Sequence, residues 1–246
     1  MKILILDTET IGLEKCFCYN IGWVIRDTET LEILVKKDYV VKQFWENKPL
    51  FETAYYANKK QLYIKALRSR KATIKYWGFI MLDLIRDIEK YDIKLSYAFN
   101  SPFDSKVIDF NCDWFKCSNP LDYTSLIDIR ALVNPIVFSK EYRNFCIGNN
   151  FLTESNNLKV NAEVIYRFIT GKITFQEEHT ALNDSIIESD ILLWLNKNGI
   201  DITEPKKVYN VVKSGCEQTL KINYKGNMYE FHYQTKRTIK GVMILK

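Results

Sequence analysis

Runs of apolar and polar positions divide the chain into elements. Residues 2–7 form an apolar run that ends in an acid, as a buried strand does when it reaches a sheet edge. Residues 19–26 and 31–42 are rich in β-branched and aromatic side chains, with the turn-like Asp27-Thr28-Glu29 between them. They predict an antiparallel pair that continues the same sheet. From 72 to 91, Ile74, Trp77, Met81, Leu84, Ile85 and Ile88 recur every three or four residues, which predicts a helix. A short strand is expected near 94–98. Pro102 suits the first turn of the next helix, where its missing N–H costs nothing. That helix would carry Phe103, Val107, Ile108 and Phe110. Residues 123–133 read as a strand running into a helix, and 161–170 as a helix stopped by Gly171. Residues 180–197 read as a late helix, with Leu182, Ile186, Ile187, Ile191 and Leu195 along one side and Asn198-Gly199 at its end. This order predicts an α/β fold, a mixed sheet with helices packed on its faces.

The pattern changes after Pro205. Alternating runs at 220–224 and 229–233, joined by Lys225-Gly226-Asn227, predict a β-hairpin. Two units are therefore expected, a main domain at 1–205 and a small basic C-terminal extension at 206–246. The extension holds nine Lys/Arg and two Glu, a net +7. The whole chain nets +5, so the first 205 residues net −2 and the basic balance lies in the tail.

With 246 residues, 47% of them hydrophobic and 14% aromatic, the chain has ample material for a packed core. Mild basicity permits nucleic acid as a partner without establishing it. No run approaches the ~20 apolar residues of a membrane span, and the first residues lack a secretory pattern. A soluble cytoplasmic protein is the expectation. Of the six cysteines, Cys16/Cys18 and Cys112/Cys117 lack zinc-knuckle spacing and have no histidine nearby, so reduced thiols are expected.

Three clusters carry candidate chemistry. Asp7 and Glu9 stand two apart at a strand end, so they share a face and repel unless a cation lies between them. Oxygen-only ligands suit a hard dication such as Mg²⁺, although a strand ending in a polar turn gives the same pattern. Asp104 falls in the first turn of a helix, where the dipole favours a carboxylate with or without a metal. His179 precedes the late helix and Asp184 lies about one and a half turns into it. A capping histidine and a surface acid would look the same.

Together the clusters spell Asp-x-Glu, Asp and His-x4-Asp. The segments "LILDTETIGL", "SYAFNSPFD" and "HTALNDSIIESDIL" resemble the three motifs of the DEDDh group of 3′–5′ exonucleases, the superfamily of the DNA polymerase III epsilon proofreading subunit and ribonuclease T. The resemblance spans residues 1–198. It implies an RNase H-like mixed sheet and a two-metal phosphodiester hydrolase using Mg²⁺ or Mn²⁺. One ion would lie on Asp7, Glu9 and Asp184, the other on Asp7 and Asp104, with His179 as general base. Thr8, Thr10, Asn100 and Phe103 flank these acids as candidate substrate contacts; Phe103 could stack on the terminal base or pack in the core. Asp128, in "LIDIR", resembles a supporting acid of the group and reads better as structural. Single-stranded DNA, cut from its 3′ end to 5′-mononucleotides, is the expected substrate. RNA trimming and a non-catalytic nucleic-acid module are the alternatives. Residues 57–82, with seven Lys/Arg, no acid, and Tyr63, Tyr76 and Trp77 interleaved, would suit a single strand. A solvated helix with its aromatics in the core fits equally. The tail is expected to extend the nucleic-acid track or to dock a replication or repair protein.

Overall fold

The computed structural model describes residues 1–12, 16–54 and 57–203, together with the backbone of two strands at 217–224 and 227–234. Six strands form one sheet: β1 (Lys2–Thr10), β2 (Cys18–Asp27), β3 (Ile33–Val41), β4 (Thr73–Lys75), β5 (Leu95–Ala98) and β6 (Ser125–Asp128). Their order is β4-β3-β2-β1-β5-β6. β2 runs antiparallel to both β1 and β3, and the other pairings are parallel.

Among the described residues ten α-helices surround the sheet: α1 (Lys42–Trp45), α2 (Lys48–Phe51), α3 (Lys60–Arg68), α4 (Trp77–Tyr91), α5 (Ser101–Phe115), α6 (Ile129–Leu132), α7 (Asn134–Val137), α8 (Lys140–Gly148), α9 (Ala162–Thr170) and α10 (Ala181–Lys197). Period-two alternation in β1 sorts them into two layers. Leu4 and Leu6 face one core with Trp77, Leu84, Val107 and Ile108 of α4 and α5. Ile3 and Ile5 face the other with Ile165, Ile187, Ile191 and Leu195 of α9 and α10. Both cores are closed to solvent, as a sheet covered by helices on both faces requires. Among the described residues no helix is long and apolar enough to cross a membrane.

Several expectations hold locally. Asn161 caps α9 through its side chain, and Gly171 ends that helix at φ +71°. Pro102 lies in the first turn of α5. The strand-then-helix reading of 123–133 corresponds to β6 and α6. Two readings change. The helix expected over 72–91 begins only at Trp77, because Thr73–Lys75 pair in parallel with Tyr39–Val41 as an edge strand. The single apolar side expected of α10 is not single: Asp184, Ser185, Glu188 and Ser189 are buried as well. The helix is enclosed on more than one side, so its polar residues face protein.

β7 (Glu217–Tyr224) and β8 (Asn227–Gln234) pair antiparallel with Tyr224 opposite Asn227, the expected hairpin. Its turn at 225–226 and the boundary expected at 205/206 lie outside the described residues, as does Cys216. The five described cysteines form no disulfide with one another.

Candidate active site

The central strand delivers the first two acids. Asp7 and Glu9 continue the odd-numbered face of Ile3 and Ile5 toward α10, which supplies Asp184. Ligand oxygens of Asp7, Glu9 and Asp184 lie within 4.8 Å of one another. Glu9 and Asp184 are each 8% exposed.

Helix α10 reaches β1 and β2 because β2 lets it. A Cβ on Gly22 would lie 2.2 Å from the Leu182 backbone nitrogen and 2.5 Å from its Cα. Gly22 pairs directly with Asp7 in the β1/β2 ladder, so the close approach falls beside the acids. Asn20 fixes the helix end. Its Oδ1 accepts from the Ala181 backbone N–H at 2.9 Å, and its amide donates to Asp38 Oδ1 and the Tyr39 carbonyl. The Ser185 hydroxyl donates to the carbonyls of Gly22 and Ala181.

Asp104 enters from the opposite layer, in the first turn of α5, and is 1% exposed. Thr8 lies on the even face of β1, and its hydroxyl donates to Asp104 Oδ1 at 2.8 Å. The Thr8 side chain, expected as a substrate contact, is 4% exposed and engages an acid inside the protein. Asp128 caps α6 and accepts from the backbone N–H groups of Asn100, Ser101 and Arg130. It shapes the turn that starts α5, the structural reading of this residue. Asn100 is exposed at φ +68°. Phe103 is half-buried against the α4/α5 core. Thr10 ends β1 just past a register shift, half-buried.

Burial and mutual repulsion perturb every acid here. Burial, then the charges of Asp104, Glu188, Asp184 and Glu9, hold Asp7 well above the ordinary carboxylate range. Burial and Asp184 push Glu9 up to about 9, against the opposing charge of Lys59. Asp104 and Asp184 are each pushed up to about 7, chiefly by burial. Carboxylates crowded this way resist joint ionisation unless a cation joins them. Asp184 Oδ1 is buried without a hydrogen-bond partner. An orphaned acceptor in a ring of oxygens fits a hard divalent cation.

His179 stands at the rim with a left-handed backbone, φ +51°. Its Nδ1 lies 4.0 Å from Asp184 Oδ2 and 3.7 Å from Glu177 Oε2. Burial and the Lys59 charge lower its pKa from 6.5. The loop that carries it is held from across the site. Lys59 Nζ donates to the Glu178 carbonyl at 2.6 Å, and the Tyr63 hydroxyl donates to the His179 carbonyl at 3.5 Å.

The fold thus gathers Asp7, Glu9 and Asp184 tightly, with Asp104 and His179 at their margins. Sequence reasoning passed over four neighbours. Glu188 is 3% exposed, accepts from the Phe99 N–H at 3.1 Å and adds a further charge to Asp7. It stands four residues after Asp184, a helical spacing that could have found it. Glu163 and Glu177 form a second oxygen group with His179, and Lys59 supplies the opposing cation; no local pattern marks these three. Of the two readings of Tyr63 and Trp77, strand contact or core, the structure shows the core: they are 1% and 0% exposed.

A mixed sheet that carries acids on its central strand, beside acids on α5 and α10, has the RNase H-like architecture expected from the sequence. No family model and no curated protein matches the chain. Solved structures do. One is of a 3′-exonuclease in 3′-end-specific recognition of a histone mRNA stem-loop (TM-score 0.52, 14% identity, covering 99% of this chain and 73% of that one). Another is a full-length 3′-exonuclease (TM-score 0.52, 16% identity, 97% and 68%). A third is E. coli Exonuclease I in complex with a dA16 oligonucleotide (TM-score 0.47, 9% identity, 80% and 41%). The chain has the fold of the 3′-exonucleases.

Proposed function

We propose that this protein is a metal-dependent 3′–5′ exonuclease of the DEDDh type that removes 5′-mononucleotides from a single strand. The observation that carries the reading is the convergence of Asp7, Glu9 and Asp184 within 4.8 Å, from two elements some 175 residues apart in sequence. A buried acid cluster of this kind costs folding energy, and a cation-bound site is a reason to keep one.

Asp7, Glu9, Asp104 and Asp184 would hold divalent cations, which would supply positive charge against the phosphodiester and acidify a water. Asp7 would be shared between two such ions in this reading; Mg²⁺ and Mn²⁺ both suit such oxygens. Thr8 and Asp128 act indirectly, by orienting Asp104 and the turn before it. Burial and Lys59 favour the neutral imidazole of His179, the form that would accept the proton of the attacking water. The Lys59 and Tyr63 contacts hold its loop against the acid cluster. Asn100, Thr10 and Phe103 remain candidate contacts for the terminal nucleotide. Single-stranded DNA is the substrate carried forward. Residues 206–246, with their net +7, would extend the strand-binding track or dock a protein partner as a separate unit.

The test is Asp184→Asn, assayed with 5′-labelled DNA and RNA strands in Mg²⁺ and Mn²⁺. The parent should shorten strands from the 3′ end, and the variant should bind them while losing at least ~10²-fold in rate. Digestion at the parental rate by the variant, or no digestion of either polymer by the parent, would overturn the reading.

A further inference from the structure

The strands β1, β3, β4, β5 and β6 all point the same way, so their C-terminal ends share one edge of the sheet. The pairing register runs level across it: Glu9 is opposite Asn20, Asn20 opposite Val40, and Val40 opposite Ile74. The edge that carries the acids therefore carries Lys42 and Tyr76 as well, which follow β3 and β4. At ~4.8 Å per strand, β4 lies three spacings, or about 14 Å, from β1.

This end of the edge is unusually apolar for a surface. Phe79 in the first turn of α4 is 62% exposed, and Tyr76 and Leu82 beside it are 46% and 45% exposed. Phe79 stands between two clefts. One, of about 380 Å³, is lined by Lys42, Lys75, Asp83 and Arg86 among others. The other, of about 400 Å³, reaches Lys116 and Cys117. Lys42 Nζ sits 4.7 Å from the Tyr76 ring centroid. Asp83 is the lone acid lining either cleft, and its carboxylate is engaged by Lys75, Arg86 and the Tyr39 hydroxyl. Lys42 also pairs with Glu46 at 3.6 Å, so four cations stand against two acids; the net positive charge favours a polyanion, and the exposed rings between them favour one that carries flat apolar faces.

We infer that Tyr76 and Phe79, flanked by Lys42 and Lys116, form a stacking platform for a single-stranded nucleic acid, engaging nucleotides upstream of the 3′ end held at the acids. Bases stack on the two rings while the lysines follow the backbone. The inference rests on the exonuclease reading for the direction of the strand, but the binding itself does not. The platform also narrows the expected aromatic track: of Tyr63, Tyr76 and Trp77, Tyr76 faces solvent, and Phe79 of the same 57–82 stretch joins it.

The test compares the full chain with Tyr76→Ala/Phe79→Ala. Fluorescein-labelled oligothymidylates of 3 and 20 nucleotides, and an abasic 20-mer, are titrated in excess EDTA, and hydrolysis is followed separately in Mn²⁺. Loss of two stacking contacts should weaken 20-mer binding about tenfold or more. Affinity for the 3-mer and the rate on it should stay within twofold, and the abasic 20-mer should bind parent and variant alike. Twenty-mer affinity within twofold of the parent overturns the platform. So does a change in sedimentation mass with unchanged strand affinity, because the patch would then serve a second copy of the chain. If the double variant fails to fold, Phe79→Ser carries the same comparison. Strand binding that depends on Phe79 in a protein that hydrolyses nothing would sink the exonuclease reading and leave the platform standing.

Discussion

Replacing Gly22 with alanine puts a methyl carbon 2.2 Å from the Leu182 backbone nitrogen and 2.6 Å from the Ala181 carbonyl carbon. Ordinary contact begins near 3.4 Å, so the first turn of α10 and β2 must separate by about 1.2 Å. The obstruction is backbone on both sides, and no side-chain rotamer can relieve it. Overpacking of this kind costs about 1–3 kcal/mol and sometimes more. The functional loss should be larger than the stability loss. The same turn carries Asp184, and Gly22 pairs with Asp7, so the shift opens the acid cluster along its short dimension. A displacement near 1 Å can cost about 10²-fold in rate. The measurements are urea unfolding with and without Mn²⁺, and strand hydrolysis at saturating Mn²⁺. We expect a lower midpoint in EDTA, a smaller stabilisation by Mn²⁺ than in the parent, and about 10²-fold slower hydrolysis. A Gly22→Ala protein with parental midpoints and parental rate would show that α10 does not depend on this contact, and the account of how the site is assembled would be wrong.

Metal-free protein should lose stability as pH rises. Asp104 and Asp184 move from an ordinary 3.8 to about 7 on folding, and Glu9 from 4.5 to about 9. Raised acids stabilise the fold fully below about pH 4, and that contribution is lost as pH climbs through 7 to 9, by up to ~1.4 kcal/mol per group per pH unit. Urea midpoints in EDTA at pH 5.5, 7 and 8.5 should fall in that order and recover with Mn²⁺; midpoints that rise with pH would refute the buried-acid account. His179→Ala should slow hydrolysis by about 10²–10⁴-fold with the midpoint nearly unchanged. In the parent, the acidic limb of the rate–pH profile should lie below 6.5, since burial and Lys59 disfavour the imidazolium. A limb that persists unchanged in His179→Ala would assign it to another group.

Periodicity and punctuation alone determined much of this protein. The apolar run of β1, the alternating runs at 220–224 and 229–233 that lie within β7 and β8, Pro102 at the start of α5 and Gly171 at the end of α9 are local preferences that the fold leaves in place. The motif residues Asp7, Glu9, Asp104, His179 and Asp184 were legible because each sits at the end of an element that the pattern could place. The tertiary structure decided what no local pattern encodes. Ile74 has helical spacing with α4 yet becomes a strand residue, because an unpaired edge of β3 offers backbone partners. Tyr63 and Trp77 are buried while Tyr76 is not, because packing selects which side of each element is covered. Lys59 joins the acids, and Gly22 admits α10, through contacts between residues more than a hundred positions apart. Such contacts depend on how layers stack and on burial, which fixes the cost of each charge, and neither quantity exists until the chain is folded.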